Sequence, residues 1–129
     1  MKKLSLLLAL IMSLSAFAAE KLNELTEEEK AAGWKLLFDG KTNSGWRNLS
    51  KKEFPAQGWM IEEGCLHHLP KGGGGDICTD QAYENYEFSF EWKIAPGANS
   101  GVKYRVIEKS VSAYGPEYQV IDDAKLKPM

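Results

Sequence analysis

The chain has 129 residues, with 16 basic against 18 acidic side chains. That length suits one small domain. A mildly acidic balance without a basic patch argues against nucleic acid and anionic membranes as partners.

The chain begins MKKLSLLLALIMSLSAFAAE. Two lysines precede an apolar run from Leu4 to about Leu14, and the small-residue pattern Ala16-Phe17-Ala18 follows. This predicts a Sec-type signal peptide over residues 1–18, cleaved before Ala19. The apolar run is shorter than the ~20 residues a membrane span needs, and no lipobox cysteine follows it. The expected product is therefore periplasmic or secreted. Loss of Lys2 and Lys3 leaves the mature chain more acidic.

One short helix is expected in LTEEEKAAGW, with Thr26 capping the first turn, Glu29 reaching back to it and Gly33 as a left-handed stop. From Trp34 onward, short strands alternate with Gly, Pro and Asn, and no helix-length amphipathic segment or internal repeat occurs. Between Cys65 and Cys78 lies LHHLPKGGGGDI. A hairpin centred near Lys71 and Gly72 would set the two cysteines opposite each other at disulfide distance in an oxidising compartment. The alternative is two small buried hydrophobes.

The clearest strand is NYEFSFEWKI. Tyr86, Phe88, Phe90, Trp92 and Ile94 alternate with Glu87, Ser89, Glu91 and Lys93, predicting an antiparallel strand with its aromatic side in the core. GVKYRVI and EYQV continue the pattern, and the interval between strands argues for an all-β sandwich. In a three-strand meander, Glu91, Arg105 and Gln119 would share the non-core face, with Lys103 and Glu117 one step away. Such a row offers paired donors and acceptors to sugar hydroxyls; a solvated outer face is the competing reading.

The segments EEEKAAGWKLLFDGKTNSGW, WMIEEGCLHH, GGGGDICTDQAYENYEFSFEWKI, NSGVKYRV and GPEYQVIDD resemble, in this order, the 3-keto-disaccharide hydrolase domain family. The resemblance covers essentially the whole mature chain. It implies a concanavalin A-like antiparallel sandwich (a jelly roll) whose concave face holds carbohydrate, and exported enzymes acting on glycosides oxidised at the third ring carbon. Family domains continue past GPEYQV with further strands, so residues 19–129 are expected to form the N-terminal portion of such a domain.

A ketone at the third carbon acidifies the proton on the second and places the glycosidic oxygen β to the resulting carbanion. Elimination followed by hydration then cleaves the glycoside, given a base, an enolate stabiliser and an acid. On this resemblance, Glu117 is the expected base or a metal ligand. Arg105 is expected to hold substrate hydroxyls or the enolate oxygen, or else to pair with Glu91 or Glu117. Gln119, Glu91 and Lys103 are expected substrate contacts. Asp76, after four glycines, either reaches the cleft edge or forms a turn. Of the adjacent histidines only one can face a site, and His67 is the candidate, the default for either being an edge position without a role.

No zinc spacing, nucleophile elbow, phosphate loop or dinucleotide fingerprint occurs. No cofactor is required by the sequence; a divalent cation has candidate oxygen ligands in Asp122 and Asp123, if a bulge aims both at one point. The expected partner is a carbohydrate substrate. A non-catalytic carbohydrate-binding module on the same sandwich is the alternative function.

Overall fold

The computed structural model describes residues 22–109 and 112–125, so the expected signal peptide lies outside the described residues. Helix α1 (Glu27–Ala31) carries the capping box that its sequence predicts. The Glu29 N–H donates to Thr26 Oγ1 at 3.2 Å, and the Thr26 N–H donates to Glu29 Oε2 at 2.7 Å. The helix ends where Trp34 N–H reaches the Glu29 carbonyl and Gly33 N–H, at φ 87°, reaches that of Lys30, a Schellman stop.

LFDGKTNSG forms a polar turn rather than a strand. Asp39 Oδ1 accepts from the backbone N–H groups of Lys41 (2.8 Å) and Thr42 (2.7 Å), and Oδ2 accepts from the Thr42 hydroxyl at 2.8 Å. The Thr42 and Lys41 amides, followed by that hydroxyl, hold the Asp39 carboxyl below the usual aspartate range. Trp46 Nε1 donates to the Leu37 carbonyl at 2.7 Å and closes the segment.

The rest of the fold is all-β. Its strands are β1 (Trp46–Asn48), β2 (Trp59–Glu62), β3 (Cys65–His68), β4 (Ile77–Thr79), β5 (Asn99–Lys103), β6 (Ile107–Lys109), β7 (Ser112–Tyr114) and β8 (Glu117–Ile121). They pair antiparallel as β1 with β4, β2 with β3, β5 with β8 and β6 with β7. The β6–β7 pair is nested inside β5–β8, so the described residues of 99–109 and 112–121 form the two arms of one long interrupted hairpin. The interruption has two visible causes: Arg105 takes a left-handed φ of 52°, and Pro116 has no N–H to donate, though its carbonyl still accepts from Tyr104 N–H. An Arg47–Glu108 ion pair at 2.6 Å ties this hairpin to β1.

Three expectations are corrected. Cys65 lies in β3, which pairs with β2, whereas Cys78 lies in β4, which pairs with β1; the two thiols are free. The hairpin turn falls at Glu63–Gly64 instead of Lys71–Gly72, so the cysteines are never cross-strand neighbours. Burial pushes the Cys78 thiol up from its ordinary value, which suits an inert, half-buried group.

NYEFSFEWKI forms no strand, and Tyr86, Phe88, Phe90 and Trp92 are exposed rather than in a core. The alternation still places side chains together: the rings of Phe88 and Phe90 stack at 5.0 Å, and Phe90 meets Tyr118 edge-on at 6.2 Å. A period of two selects a face but not a ladder partner or a covering layer. Among the described residues, only Leu49 and Val120 are buried hydrophobics.

The three-strand meander does not form either. β5 pairs directly with β8, which leaves Glu91 off any strand and Arg105 in the interruption. Gln119 therefore faces Gly101, with neither Glu91 nor Arg105 beside it.

Candidate functional site

The site is built outward from the turn WMIEEGCLHH. Glu63 (φ 50°) and Gly64 (φ 73°) both take left-handed conformations, the signature of a two-residue type I′ hairpin turn. That turn sets the register Trp59↔His68, Met60↔His67, Ile61↔Leu66 and Glu62↔Cys65. Paired residues share a face. Trp59, Ile61, Leu66 and His68 thus lie on one side, and Met60, Glu62, Cys65 and His67 on the other.

The glycine run following β3 crosses the Gln57–Gly58 backbone so closely that side chains are excluded. A Cβ on Gly74 would collide with the Gln57 carbonyl, and one on Gly58 with that of Gly73. The run is held by three side chains. Asn48 Nδ2 donates to Gly74 O at 2.7 Å, Trp59 Nε1 to Gly75 O at 2.8 Å, and His68 Nε2 lies 3.2 Å from Gly73 O. The His68 ring also packs against Trp59, with centroids 4.8 Å apart.

This loop, the inner face of the β2–β3 hairpin and the start of β5 border an open cavity of about 450 Å³, lined by Trp59, His68, Gly73, Gly75, Asp76, Asn99, Ser100 and Gly101. Glu117 packs against one of the lining residues, Gly101. Its carboxylate occupies the space that a Cβ on Gly101 would need, so the glycine is what lets the carboxylate lie across β5. Lys103 Nζ sits 3.9 Å from Glu117 Oε2 and donates to the Ala113 carbonyl at 3.2 Å. Both side chains are about one-third exposed, so solvent weakens the pair as a source of stability. A solvent-reachable carboxylate beside an ammonium can accept a proton or hold a hydroxyl.

Of the residues singled out in the sequence, Asp76 lines the cavity, and Glu117, Gln119 and Lys103 lie on the β5–β8 pair, whose Asn99–Gly101 segment also lines it. Arg105 and Glu91 are exposed and lie off the ladder. Lys103, not Arg105, is the cation beside Glu117. His67 lies on the opposite face of its hairpin, with Nδ1 3.0 Å from Glu62 Oε2. Its neighbour His68 lines the cavity instead. The Asp122 carboxylate accepts from Gly97 N–H (2.7 Å) and Ala124 N–H (3.2 Å), closing the mouth of the long hairpin, and Asp123 is exposed. No group of three or more His, Cys, Asp or Glu among the described residues is arranged to hold a metal ion.

Trp59, His68, Asn99 and Ser100 were not among the residues expected at the site. The signal for the first two was present in the Glu-Gly turn, whose type I′ geometry fixes the histidine that shares a face with Trp59. Asn99 and Ser100 follow the Pro-Gly turn after NYEFSFEWKI and could not have been placed without the pairing of β5 with β8. A second cavity, of about 430 Å³, lies at the other end of β4, lined by Lys35, Leu36, Leu37, Ser44, Gly45, Asp80, Gln81 and Tyr83.

Residues 33–129 match a family profile described as a 3-keto-alpha-glucoside-1,2-lyase-like domain. A curated relative, the 3-keto-disaccharide hydrolase of Bacteroides thetaiotaomicron, is 35% identical over 132 residues, covering 84% of this chain. The chain spans 45% of that relative's length.

Proposed function

Because the chain belongs to the 3-keto-alpha-glucoside-1,2-lyase-like domain family, we propose that it is an exported enzyme cleaving 3-keto-glycosides by elimination and hydration, on a concanavalin A-like sandwich. The observation carrying this reading is the cavity at Asp76, His68 and Gly101, with the Glu117 carboxylate packed against Gly101. The name of the Bacteroides relative, a 3-keto-disaccharide hydrolase, supports the substrate class. The leader-like residues 1–18 support export to the periplasm or beyond.

In the proposed reaction Glu117 removes the proton on the carbon next to the ketone, and the electron pair moves into the carbonyl to form an enolate. Lys103, 3.9 Å from Glu117, balances the charge of the free carboxylate. The enolate collapses, a double bond forms between the first and second carbons, and the glycosidic oxygen leaves with a proton. Water then adds across the double bond to give the 3-keto sugar. Asp76, Asn99 and Ser100 supply hydrogen-bonding groups for the ring hydroxyls.

Incubating the protein with a 3-keto-disaccharide in deuterated water tests this directly. Release of the free sugar with deuterium at the second carbon is the expected result; release without deuterium would indicate direct hydrolysis. Glu117→Gln should lower turnover about 100-fold or more while leaving the unfolding midpoint unchanged, since it removes the proton-accepting charge and preserves shape.

A carbohydrate-binding module is the second reading, favoured by the exposed rings of Tyr86, Phe88, Phe90 and Trp92. It predicts saturable binding of unoxidised saccharides, weakened by Trp92→Ala, with no turnover of the 3-keto compound.

A further inference from the structure

We propose that His68 is the general acid that delivers a proton to the departing glycosidic oxygen, a role that rests on the elimination reading above. Three observations converge on this residue. It lines the same cavity as Gly101, and the Glu117 carboxylate packs against Gly101. Its ring is held by Trp59 at 4.8 Å, and Trp59 is itself held by the 2.8 Å bond from Nε1 to Gly75 O. Its Nε2 lies 3.2 Å from the Gly73 carbonyl.

The last contact decides the chemistry. A carbonyl oxygen only accepts, so Nε2 carries a proton in this hydrogen bond in both charge states of the ring. Nδ1 is then the nitrogen that gains and loses the mobile proton. The acid step follows with atoms in balance: as the bond between the first carbon and the glycosidic oxygen breaks, its electron pair stays on oxygen, and the Nδ1 proton moves to that oxygen. A free alcohol and neutral His68 result. The proton taken up by Glu117 returns to solvent or to His68 before the next turnover. His67 cannot take this part, since the hairpin register sends it to the other face, against Glu62.

The acid is needed only when the leaving group is a poor one, and this separates catalysis from structural support. The test compares a 3-keto-disaccharide, whose leaving group is a sugar hydroxyl, with a 3-keto-glucoside of nitrophenol, which departs without protonation. His68→Gln places an amide donor where Nε2 was but cannot titrate. The expected result is a loss of about 100-fold or more in kcat on the disaccharide and less than about 5-fold on the nitrophenyl compound, within the span of general acid catalysis. Equal losses on both would overturn the role of His68 while leaving the elimination reading intact. If the unaltered protein cleaves neither substrate, the elimination reading fails and the role of His68 fails with it. A readout independent of turnover is the ¹⁵N spectrum of the His68 imidazole at alkaline pH. A neutral ring protonated on Nε2 is expected, and one protonated on Nδ1 would overturn the proposal.

Discussion

Residues 45–80 and residues 83–95 are neighbours in sequence and opposites in how they are held. In the first stretch, two antiparallel pairs are joined by a glycine run that Asn48, Trp59 and His68 fasten through contacts to successive carbonyls. The second has the stronger sequence pattern, an unbroken aromatic alternation, yet it enters no strand pair and leaves five aromatic side chains exposed. Directional bonds between specific atoms define a structure locally. An apolar face defines only a preference, which is met when another surface covers it.

The largest test of that contrast is at Gly74. Gly74→Ala places a methyl group into the Gln57 carbonyl at a φ of 83°, and the combined overlap and backbone strain should cost about 3 kcal/mol in denaturant unfolding. A loss under about 1 kcal/mol would mean that the loop is not the fixed element described. Next comes a paired truncation. Leu49, which is 5% exposed, should lose about 3 kcal/mol on conversion to Ala. Phe90, at 36% exposure, should lose only about 1 kcal/mol, because much of its ring is already in water. Equal losses at the two positions would show that the aromatic face is covered in solution.

The smallest expected effect is a pH dependence at the Asp39 turn. The folded-state pKa of Asp39 is depressed by the Thr42 and Lys41 amides. Its contribution is therefore fully present above the unfolded aspartate value, about 3.9, and is lost as pH falls through the lower folded value. Asp39→Asn should flatten this part of the acid limb in a stability-versus-pH series, with the difference between the two proteins constant above pH 5.

What could be read from the sequence follows the same division. The α1 capping box, the Gly33 stop and the parity of Glu117 and Gln119 against Tyr118 and Val120 all depend on contacts within a few residues or on strand alternation, and all are found. The pairing of β5 with β8, the nested β6–β7 hairpin and the separation of Cys65 from Cys78 depend on which strand meets which, information spread over the whole chain. The candidate site divides likewise. Asp76 beside the cavity was legible from its position after the glycines, while the presence of Lys103 instead of Arg105 beside Glu117 needed the ladder register.

The Glu63–Gly64 turn has a consequence for how this site could change. Two adjacent histidines point to opposite sides of a strand, and the number of residues between Trp59 and the histidines selects which one is presented to the cavity. One residue inserted at that tip, with the turn kept at two residues, would exchange them, bringing His67 beside Trp59 and moving His68 to the outer face, with no substitution at any cavity-lining position. That spacing is thus a two-position selector for a titratable group. Alanine scanning would never detect it, because its setting is stored in a residue count and in no single side chain.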